Sequence, residues 1–497
     1  MRFRGSALIG LLSCLARSAA AQQPSAPAEA PDVAASGSAP AAPSEAGGAG
    51  AGLFESSLSD ASAAPSALDP GARAPTLHGY ARTDVFAGKA VGSSGPEFQA
   101  AYAEVALRLG VDDPGVGDAH AEVRVRAGLD GVTPGPDVDL REAYVNVYLG
   151  RLDLRVGQQI IVWGRADAFN PTNNLTPTDV RVRSPVEDDR RLGSLAARLW
   201  LDLAPVRLEG VWLPVYAASE IPSVGLPEFV SASEPRYPGP ALDNGLGALR
   251  VHLELPSIEA SASYLLGHAP LPGLALRDYT VGVEPPVIRI ARAAYRQQVV
   301  GADFSTALGE WAAIRGEAAY RRPFDYQDTV QAPRPDLQYA VGIEHDFGPV
   351  SVIAQYLGRY VFDWRREDGP DDPIDPRALV DFMEPLPLFL RDSIEASIEE
   401  ELRLRNQILF VQRARVQHLA SVRAEWRALD DTLSLSALGL VNLTTREWLL
   451  YPKLAYSISD SMSVAVGAEL YTGPAGSLFD LIEDRLSAGY AELRLSF

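Results

Sequence analysis

Apolar and polar residues alternate with a period of two along most of the chain between Thr76 and Phe497. In the run 103–109, for example, the odd positions hold Ala, Val, Leu and Leu, and the even positions hold Glu, Ala and Arg. Successive side chains of a β-strand point to opposite faces, so each such run predicts a strand with one apolar and one polar face. An unbroken apolar stretch of about 18 residues, which a membrane-spanning helix needs, does not occur in the sequence.

The connections between these runs alternate in length. Short turns are expected near 112–117, 150, 204–205, 256, 309, 347–349, 430–431 and 460. Longer loops are expected at 88–96, 130–136, 164–189, 218–244, 268–291, 323–335, 363–407 and 473–483, with a short exception near Thr444. A transmembrane barrel has short turns on its periplasmic rim and long loops on its extracellular rim.

The chain therefore has the pattern of an all-β protein, a closed antiparallel transmembrane β-barrel over residues 75–497. Counting the runs predicts about 18 strands, each long enough to cross a bilayer at a tilt. The count becomes about 16 if the ambiguous stretch 278–296 contributes none. Trp163, Trp311, Trp448, Tyr356 and Tyr471 lie near run ends and could form aromatic girdles at the membrane interfaces.

The first 74 residues have a different composition. A basic start, a short apolar run and the small residues 19–21 predict a secretory signal peptide over 1–21. A second interpretation places Cys14 in a loose lipoprotein cleavage box, where it would be lipidated. Residues 22–74 are mostly Ala, Ser, Pro and Gly, which cannot bury enough apolar surface to fold, and they predict a disordered periplasmic linker.

The polar face of the runs is the face that would line the barrel interior, and it carries both signs of charge. The candidate lumen-wall residues are Glu104, Arg108, Glu122, Arg124, Arg126, Arg198, Arg250, Arg413, Arg415, Arg423 and Arg427. Charges at this density need water or partners, so a water-filled, mixed-charge lumen is expected. Within 412–428 the arginines form either a basic ladder for anionic solutes or a set of ion pairs across the barrel.

The loop 164–189 and the residues just after it form the candidate pore constriction. Three prolines stiffen it, and its asparagines can bond to their own backbone in tight turns. The loop could fold into the lumen, where opposed charges would create a transverse field, or it could pack on the rim. The candidate constriction residues are Arg165, Asp167, Asn170, Asn173, Asp179, Arg181, Arg183, Arg190 and Arg191.

The sequence around this loop also resembles a known group of proteins. The strand with Gly157-Gln158 leads to Trp163-Gly164, Asn170-Pro171 and then Pro177-Thr178-Asp179. With the stretch Trp448–Lys453 and the final strand, this pattern resembles large proteobacterial outer-membrane proteins, distantly akin to alginate-export porins and of poorly characterised function. The resemblance covers about 76–497 and implies an outer-membrane barrel. It implies little about the substrate.

The loop 363–407 contains a helical signal. Leu390, Ile394, Ile398 and Leu402 recur every four residues, which predicts a short amphipathic helix over or inside the barrel mouth.

Together these features predict a porin or channel of the outer membrane of a Gram-negative bacterium, with no cofactor or metal site. The alternative is a structural, adhesion or assembly barrel that partners an export or efflux system. An outer-membrane hydrolase is a third interpretation, but the scattered histidines and the missing Gly-x-Ser-x-Gly motif do not favour an enzyme.

The expected partners follow from the same prediction. They are outer-membrane lipid and lipopolysaccharide, the barrel-assembly machinery through the last strand ending at Phe497, and a periplasmic export partner. The net charge of −20 argues against nucleic acid.

Overall fold

A single sheet that closes on itself dominates the structure. The computed structural model describes residues 75–89, 95–113, 115–129, 136–167, 169–221, 230–280, 287–309, 311–369 and 388–497. The predicted signal peptide, Cys14 and the predicted linker lie outside these residues. Eighteen strands pair in antiparallel order, and pairing of the last strand with the first closes the barrel. The prediction of about 18 strands is confirmed, and the alternative of 16 is wrong.

The barrel strands follow the expected runs closely. Their bounds are β1 (Thr76–Lys89), β2 (Pro96–Asp113), β3 (Gly117–Leu129), β4 (Asp137–Leu149), β5 (Leu152–Gln159), β6 (Ser194–Leu203), β7 (Val206–Leu213), β9 (Leu246–Glu254), β10 (Ile258–His268), β13 (Arg296–Leu308), β14 (Ala312–Pro323), β15 (Asp336–Phe347), β16 (Val350–Val361), β17 (Val416–Ala428), β18 (Leu433–Asn442), β19 (Glu447–Ser459), β20 (Met462–Thr472) and β21 (Ala488–Ser496).

The two faces of the wall differ as the alternation predicts. Apolar side chains cover the outside, for example Val145 and Leu249, which are 51% and 65% exposed. Their polar neighbours point inward and are buried, for example Asn146 and Arg250. An apolar outer band is what contact with lipid requires, and it sets the register of every strand because a one-residue slip would exchange the faces.

The ambiguous stretch 278–296 belongs mostly to a second, smaller sheet. This sheet contains β8 (Val230–Ala232), β11 (Gly273–Thr280) and β12 (Val287–Ala293), with β11 antiparallel and β8 parallel to β12. The predicted helix is α1 (Leu388–Leu409), and its Ile398 and Leu402 pack on Ile288 and Ile290 of β12. We call α1 and this sheet the cap, because they lie in the loops at the long-loop rim.

A second helix, α2 (Leu478–Leu486), lies in the connection between β20 and β21. Its residues Phe479, Ile482 and Leu486 are buried against the inward face of β18 to β20. Ser477 caps its first turn by accepting a hydrogen bond from the Asp480 backbone N–H at 3.3 Å. Neither α1 nor α2 is both long enough and apolar enough to cross a membrane.

Asn406 joins α1 to the small sheet in the way that a neighbouring strand would. Its side-chain oxygen accepts a hydrogen bond from the Leu274 backbone N–H at 2.7 Å, and its Nδ2 donates to the carbonyls of Leu274 and Val330 at 2.8 and 2.9 Å. The residue is 4% exposed. These three bonds satisfy backbone groups that would otherwise be buried without partners.

We therefore expect Asn406→Ala to loosen the cap. Each buried group left without a partner costs about 1–3 kcal/mol, so α1 should exchange its amide hydrogens at least 10-fold faster than in the wild type. Hydrogen exchange followed by mass spectrometry measures this. Glu400→Ala, on the exposed side of the same helix, is the control and should leave exchange unchanged. Equal exchange in both variants would contradict the role of Asn406.

Two features differ from the sequence prediction. Arg413 and Arg415 are not lumen-wall residues, because β17 begins only at Val416 and both side chains are exposed before it. Trp163 and Tyr471 are not girdle residues, since both are buried inside the barrel, whereas Trp311, Trp448 and Tyr356 do lie exposed on its outside. His418 shares the parity of the apolar residues of β17 and lies on the outer face, where it stacks on Tyr356, whose hydroxyl lies 2.6 Å from its Nδ1.

Candidate pore constriction in the barrel lumen

Residues 160–167 and 169–193, which we call the inner loop, lie inside the barrel. The chain turns inward after β5, and Gly164 adopts φ +103°, a conformation that L side chains rarely adopt. A Cβ at Gly164 would overlap the carboxamide of Asn170, which fills that space and donates a hydrogen bond to the Trp163 carbonyl at 2.5 Å. The Trp163-Gly164 and Asn170-Pro171 elements of the sequence motif thus pack and bond directly against each other.

Asp189 anchors the end of the inner loop to β1 and β3. Its carboxylate contacts the Arg82 guanidinium at 2.6 Å and the Arg124 guanidinium at 2.5 Å, and it accepts a hydrogen bond from the Ser184 hydroxyl at 2.5 Å. Arg82 also contacts Glu104 at 2.8 Å. All of these side chains are almost completely buried, so the contacts form a dry, charge-balanced network.

A second anchor is Glu469 on β20. Its two carboxylate oxygens each lie 2.9 Å from an arginine of the inner loop, Arg183 on one side and Arg190 on the other. Glu469 is fully buried. The backbone carbonyl of Arg183 accepts a hydrogen bond from the Tyr102 hydroxyl at 2.7 Å, which ties the same segment to β2.

The start of the inner loop is fixed to the opposite wall. Arg165 contacts Asp303 on β13 at 2.8 Å and Glu259 on β10 at 2.5 Å. Its backbone N–H donates to the Glu317 carboxylate of β14 at 2.8 Å. Asp167, two residues later, contacts Arg423 of β17 at 2.7 Å.

Polar contacts of this kind join the inner loop to ten barrel strands around the wall. The wall partners are Arg82 of β1, Tyr102 of β2, Arg124 of β3, Arg141 of β4, Glu209 of β7, Glu259 of β10, Asp303 of β13, Glu317 of β14, Arg423 of β17 and Glu469 of β20. A segment that packed on the rim could not reach all of these strands, so the inner loop crosses the lumen.

Two apolar clusters flank the crossing. On one side Trp163 and Leu175 pack against inward residues of β6 to β14. On the other, Phe169 and Val180 pack against inward residues of β15 to β20, together with α2. Packed apolar side chains therefore occupy part of the lumen at this level, beside the charged residues.

The remaining candidate constriction residues also lie in the inner loop. Asp179 contacts Arg181 at 2.7 Å, and Arg181 reaches Glu220 at 3.3 Å. Arg191 contacts Asp188 at 2.6 Å. Asn170 and Asn173 bond to neighbouring loop groups, and Asn173 Oδ1 accepts from Thr176.

The pairing of the charges differs from the expected opposition within the loop. Arg165, Arg183 and Arg190 pair with wall carboxylates, and Asp167 and Asp189 pair with wall arginines, because the loop is wedged between opposite walls. The contacts of Arg181 with Asp179 and of Arg191 with Asp188 stay within the loop.

The wall arginines predicted from the sequence also form ion pairs with carboxylates. Arg108 and Arg124 contact Glu122, Arg126 contacts Glu104, Arg198 contacts Glu209, Arg250 contacts Asp303, and Arg427 contacts Glu425. Within the described part of the chain, the two arginines of 416–428 are ion-paired rather than forming an unpaired ladder, Arg423 with Asp167 of the inner loop and Arg427 with Glu425 of its own strand.

Four residues that are central to the contacts are not among the candidates predicted from the sequence: Glu317, Asp303, Glu469 and Arg82. The alternation pattern could have indicated them as lumen residues, since each lies on the inward face of its strand. Which inward charges meet the loop depends on strand neighbours that lie far apart in the sequence.

The electrostatics of Asp189 follow from its surroundings. Burial disfavours its charged form, but the Arg82 and Arg124 guanidinium groups outweigh burial and hold its pKa well below the ordinary range. Among the described residues, no group of three or more His, Cys, Asp or Glu side chains is placed to hold a metal ion.

The closed antiparallel sheet with an apolar outer band defines this chain as a transmembrane β-barrel of the outer-membrane type. Residues 130–369 match the sequence model of a family described as protein of unknown function (DUF1302). No curated protein matches the sequence.

Several solved structures are similar in fold. Acinetobacter baumannii OccAB2 has 11% identity, with 86% of this chain and 99% of that chain covered, at a TM-score of 0.50. Pseudomonas aeruginosa OccK2 (OpdF), solved in complex with glucuronate, has 10% identity with 85% and 97% covered, at 0.49. A BenF-like porin from Pseudomonas fluorescens Pf-5 has 10% identity with 85% and 98% covered, at 0.48.

Proposed function

We propose that the protein is a solute channel of the outer membrane and that the inner loop forms its constriction. One observation carries the proposal: a single segment crosses the lumen and is attached to ten strands around the wall. An unobstructed barrel of this size would pass solutes by size alone, whereas a loop across it narrows the passage. The attachment by buried ion pairs holds this narrow place in one geometry.

The candidate constriction residues have a specific role in this proposal. Because most of their charges are already paired with the wall, selection would depend on shape and on local hydrogen-bonding groups more than on a net field. Arg181 differs from these, since its side chain is 30% exposed and its partners Asp179 and Glu220 belong to no barrel strand. A charge acts on a permeating solute only within about a Debye length, ~8 Å.

Deleting residues 168–180 should raise single-channel conductance several-fold, because it removes the central part of the crossing. The protein is purified, reconstituted into planar bilayers and compared with the wild type. A deletion of equal length within the predicted linker, 30–42, is the control and should conduct like the wild type. Unchanged conductance in the 168–180 deletion would show that the inner loop does not set the passage.

A structural or assembly barrel is the second candidate function. The observation in its favour is the pair of apolar clusters, which fill much of the lumen beside the inner loop. A barrel that is closed in this way would be electrically silent in bilayers both before and after solute is added. The two candidates are separated by the wild-type conductance alone.

The localisation and partners belong to the same proposal. The protein would be exported by its predicted signal peptide and inserted into the outer membrane, with lipid around the apolar band and lipopolysaccharide at the long-loop rim. Phe497 pairs with Gly79 through two backbone hydrogen bonds and is 57% exposed at the short-turn rim, where the barrel-assembly machinery would bind it. Residues 22–74 would reach a periplasmic export partner. No enzymatic activity is proposed.

A further inference from the structure

A small chamber of about 110 Å³ lies between the inner loop and the end of α1. Its lining includes Thr178 of the inner loop, Phe410 just after α1, and residues at the long-loop ends of β13 to β16. A water molecule takes up about 30 Å³ in the liquid, so the chamber has room for about four of them. An ion of the size of phosphate therefore fits, whereas a larger solute does not.

The lining of the chamber carries an excess of positive charge. Arg321 and Arg359 belong to it, and no carboxylate among the described residues does. Both guanidinium groups contact one carboxylate outside the lining, that of the buried Asp336, and they share the same oxygen at 2.7 and 3.6 Å. Two cations that share one anion leave a net positive charge. Such a charge is costly to remove from water unless a counter-ion reaches it.

The two guanidinium groups are held in fixed positions. Arg321 binds Asp336 with two parallel hydrogen bonds of 2.8 and 2.7 Å. Arg359 donates through Nη1 to the backbone carbonyls of Phe410 and Val411. A guanidinium has five N–H groups, so both arginines keep donors for a ligand after these bonds are made. Fixed donors lose little conformational freedom when they bind.

Two uncharged polar side chains also line the chamber. Gln297 is only 3% exposed, yet its carboxamide makes no hydrogen bond within the described part of the chain. The Tyr295 hydroxyl likewise makes none there, and its ring packs edge-on against Phe410 at 5.8 Å. Buried carboxamides are nearly always hydrogen-bonded, so a buried Gln beside a cavity indicates that a ligand in the cavity supplies the partner. Both groups can donate a hydrogen bond to an anion.

We infer that this chamber binds a small tetrahedral oxyanion of the phosphate or sulfate type. The net positive charge requires an anion, and guanidinium N–H groups match the oxygens of an oxyanion. Gln297 and Tyr295 lie at the start of β13, whereas Arg359 lies on β16, so the donors come from more than one side. That arrangement suits four oxygens around a centre better than the two oxygens at one end of a carboxylate. The inference rests on the proposed channel, for which the chamber would be a solute-selecting site beside the constriction.

The test is calorimetric titration of the full-length protein in detergent micelles and Tris buffer. The probes are inorganic phosphate, acetate and pyrophosphate, each in a separate titration. We expect saturable binding of phosphate, weaker binding of acetate, and weaker binding of pyrophosphate, which carries more charge but is larger. Losing one hydrogen bond to a charged ligand should lower the phosphate affinity of Gln297→Leu by about 10-fold or more.

Gln298→Leu is the matched control. Gln298 belongs to the same strand but points to the outer face, where it accepts a hydrogen bond from the exposed Tyr264. Its phosphate affinity should equal that of the wild type. Gln297→Glu is a second variant, which keeps the side-chain length but adds a carboxylate to the lining, and it should abolish phosphate binding. Thermal melting curves check that all three variants are folded.

The inference is overturned if the wild type does not bind phosphate, or if acetate or pyrophosphate binds as tightly as phosphate. It is also overturned if Gln297→Leu or Gln297→Glu binds phosphate like Gln298→Leu. Failure here is distinguishable from failure of the channel proposal. A protein that conducts ions in bilayers but does not bind phosphate refutes the oxyanion site alone, and one that binds phosphate but never conducts refutes the channel alone.

Discussion

Val145→Arg should prevent the barrel from assembling stably. Val145 lies on the outer face of β4, is 51% exposed, and stands between Ala119 of β3 and Val156 of β5. An arginine facing lipid costs ~2–4 kcal/mol near the bilayer midplane, which is a large part of the 5–15 kcal/mol typical of folded proteins. Unfolding by urea in phospholipid vesicles measures the loss of stability, and heat-modifiable migration on gels measures the folded fraction.

Ser305→Arg is the matched control on the inner face. Ser305 is partly buried in β13 and pairs with Glu259 of β10, so a new guanidinium there meets water and a carboxylate. Its unfolding free energy should stay within about 0.5 kcal/mol of the wild type. Equal losses in the two variants would mean that the strand faces are not divided between lipid and lumen.

Some positions on the inner face should not tolerate an arginine, and the alternation of apolar and polar residues does not show which positions these are. Glu122, for example, contacts Arg108, Arg124 and Arg141. An arginine in its place would gather four cations in a buried network, and we expect no folded barrel.

Asp189→Asn should release the end of the inner loop. The amide keeps the shape of the carboxylate but leaves the buried guanidinium groups of Arg82 and Arg124 one counter-charge short. Removing one partner of a buried ion pair costs about 3–5 kcal/mol, which the segment can avoid by detaching from the wall. Trypsin should then cleave after Arg183 and Arg190, which are buried in the wild type, and mass spectrometry identifies the cuts.

Asp202→Asn is the control for this release. Asp202 contacts Arg207 at 2.9 Å, but its side chain is 48% exposed. An exposed pair of this kind is worth about 0–1 kcal/mol, so the protease pattern should match the wild type. If Asp189→Asn is as resistant to trypsin as Asp202→Asn, the anchor does not hold the inner loop in place.

The same contacts determine how the anchor responds to pH. Because burial is outweighed by Arg82 and Arg124, the pKa of Asp189 in the folded protein lies well below its ordinary value. A lowered carboxyl pKa contributes stability that is fully present above the unfolded value of about 4 and is lost as the pH falls through the folded value. The wild-type inner loop should therefore resist trypsin equally from pH 8 down to about 5, the lower limit for a useful assay.

Local regularity made the barrel predictable from the sequence. The period of two sets which face of each strand is apolar, and the alternating connections set which rim each loop belongs to. Both are short-range properties, so the runs 103–109 and 121–127 could be assigned without knowing their neighbours. Helix α1 could be predicted for the same reason, since its apolar stripe from Leu390 to Leu402 depends only on spacing.

Contacts between distant residues were not predictable in this way. Trp163 is of a residue type that is common in interfacial girdles, yet it lies inside the barrel. Gly164 and Asn170 turn the chain inward there, and the Trp163 indole N–H donates a hydrogen bond to Glu209 at 3.2 Å. Asp189 pairs with Arg82 and Arg124, which lie far away along the chain. One sequence contains many inward charges of each sign, and nothing local specifies which of them meet.

The sequence by itself therefore determined the wall of this protein, its strand count, its two faces and the membrane it suits, because each strand repeats one local pattern. Only the tertiary structure decided what occupies the interior. Closing the barrel surrounds one loop with the wall, lets ten strands contact it, and brings Glu317, Asp303 and Glu469 to it from separate parts of the chain. The physical reason is that strand alternation is a short-range steric property, whereas ion pairing in the lumen depends on which strands the closed sheet sets face to face.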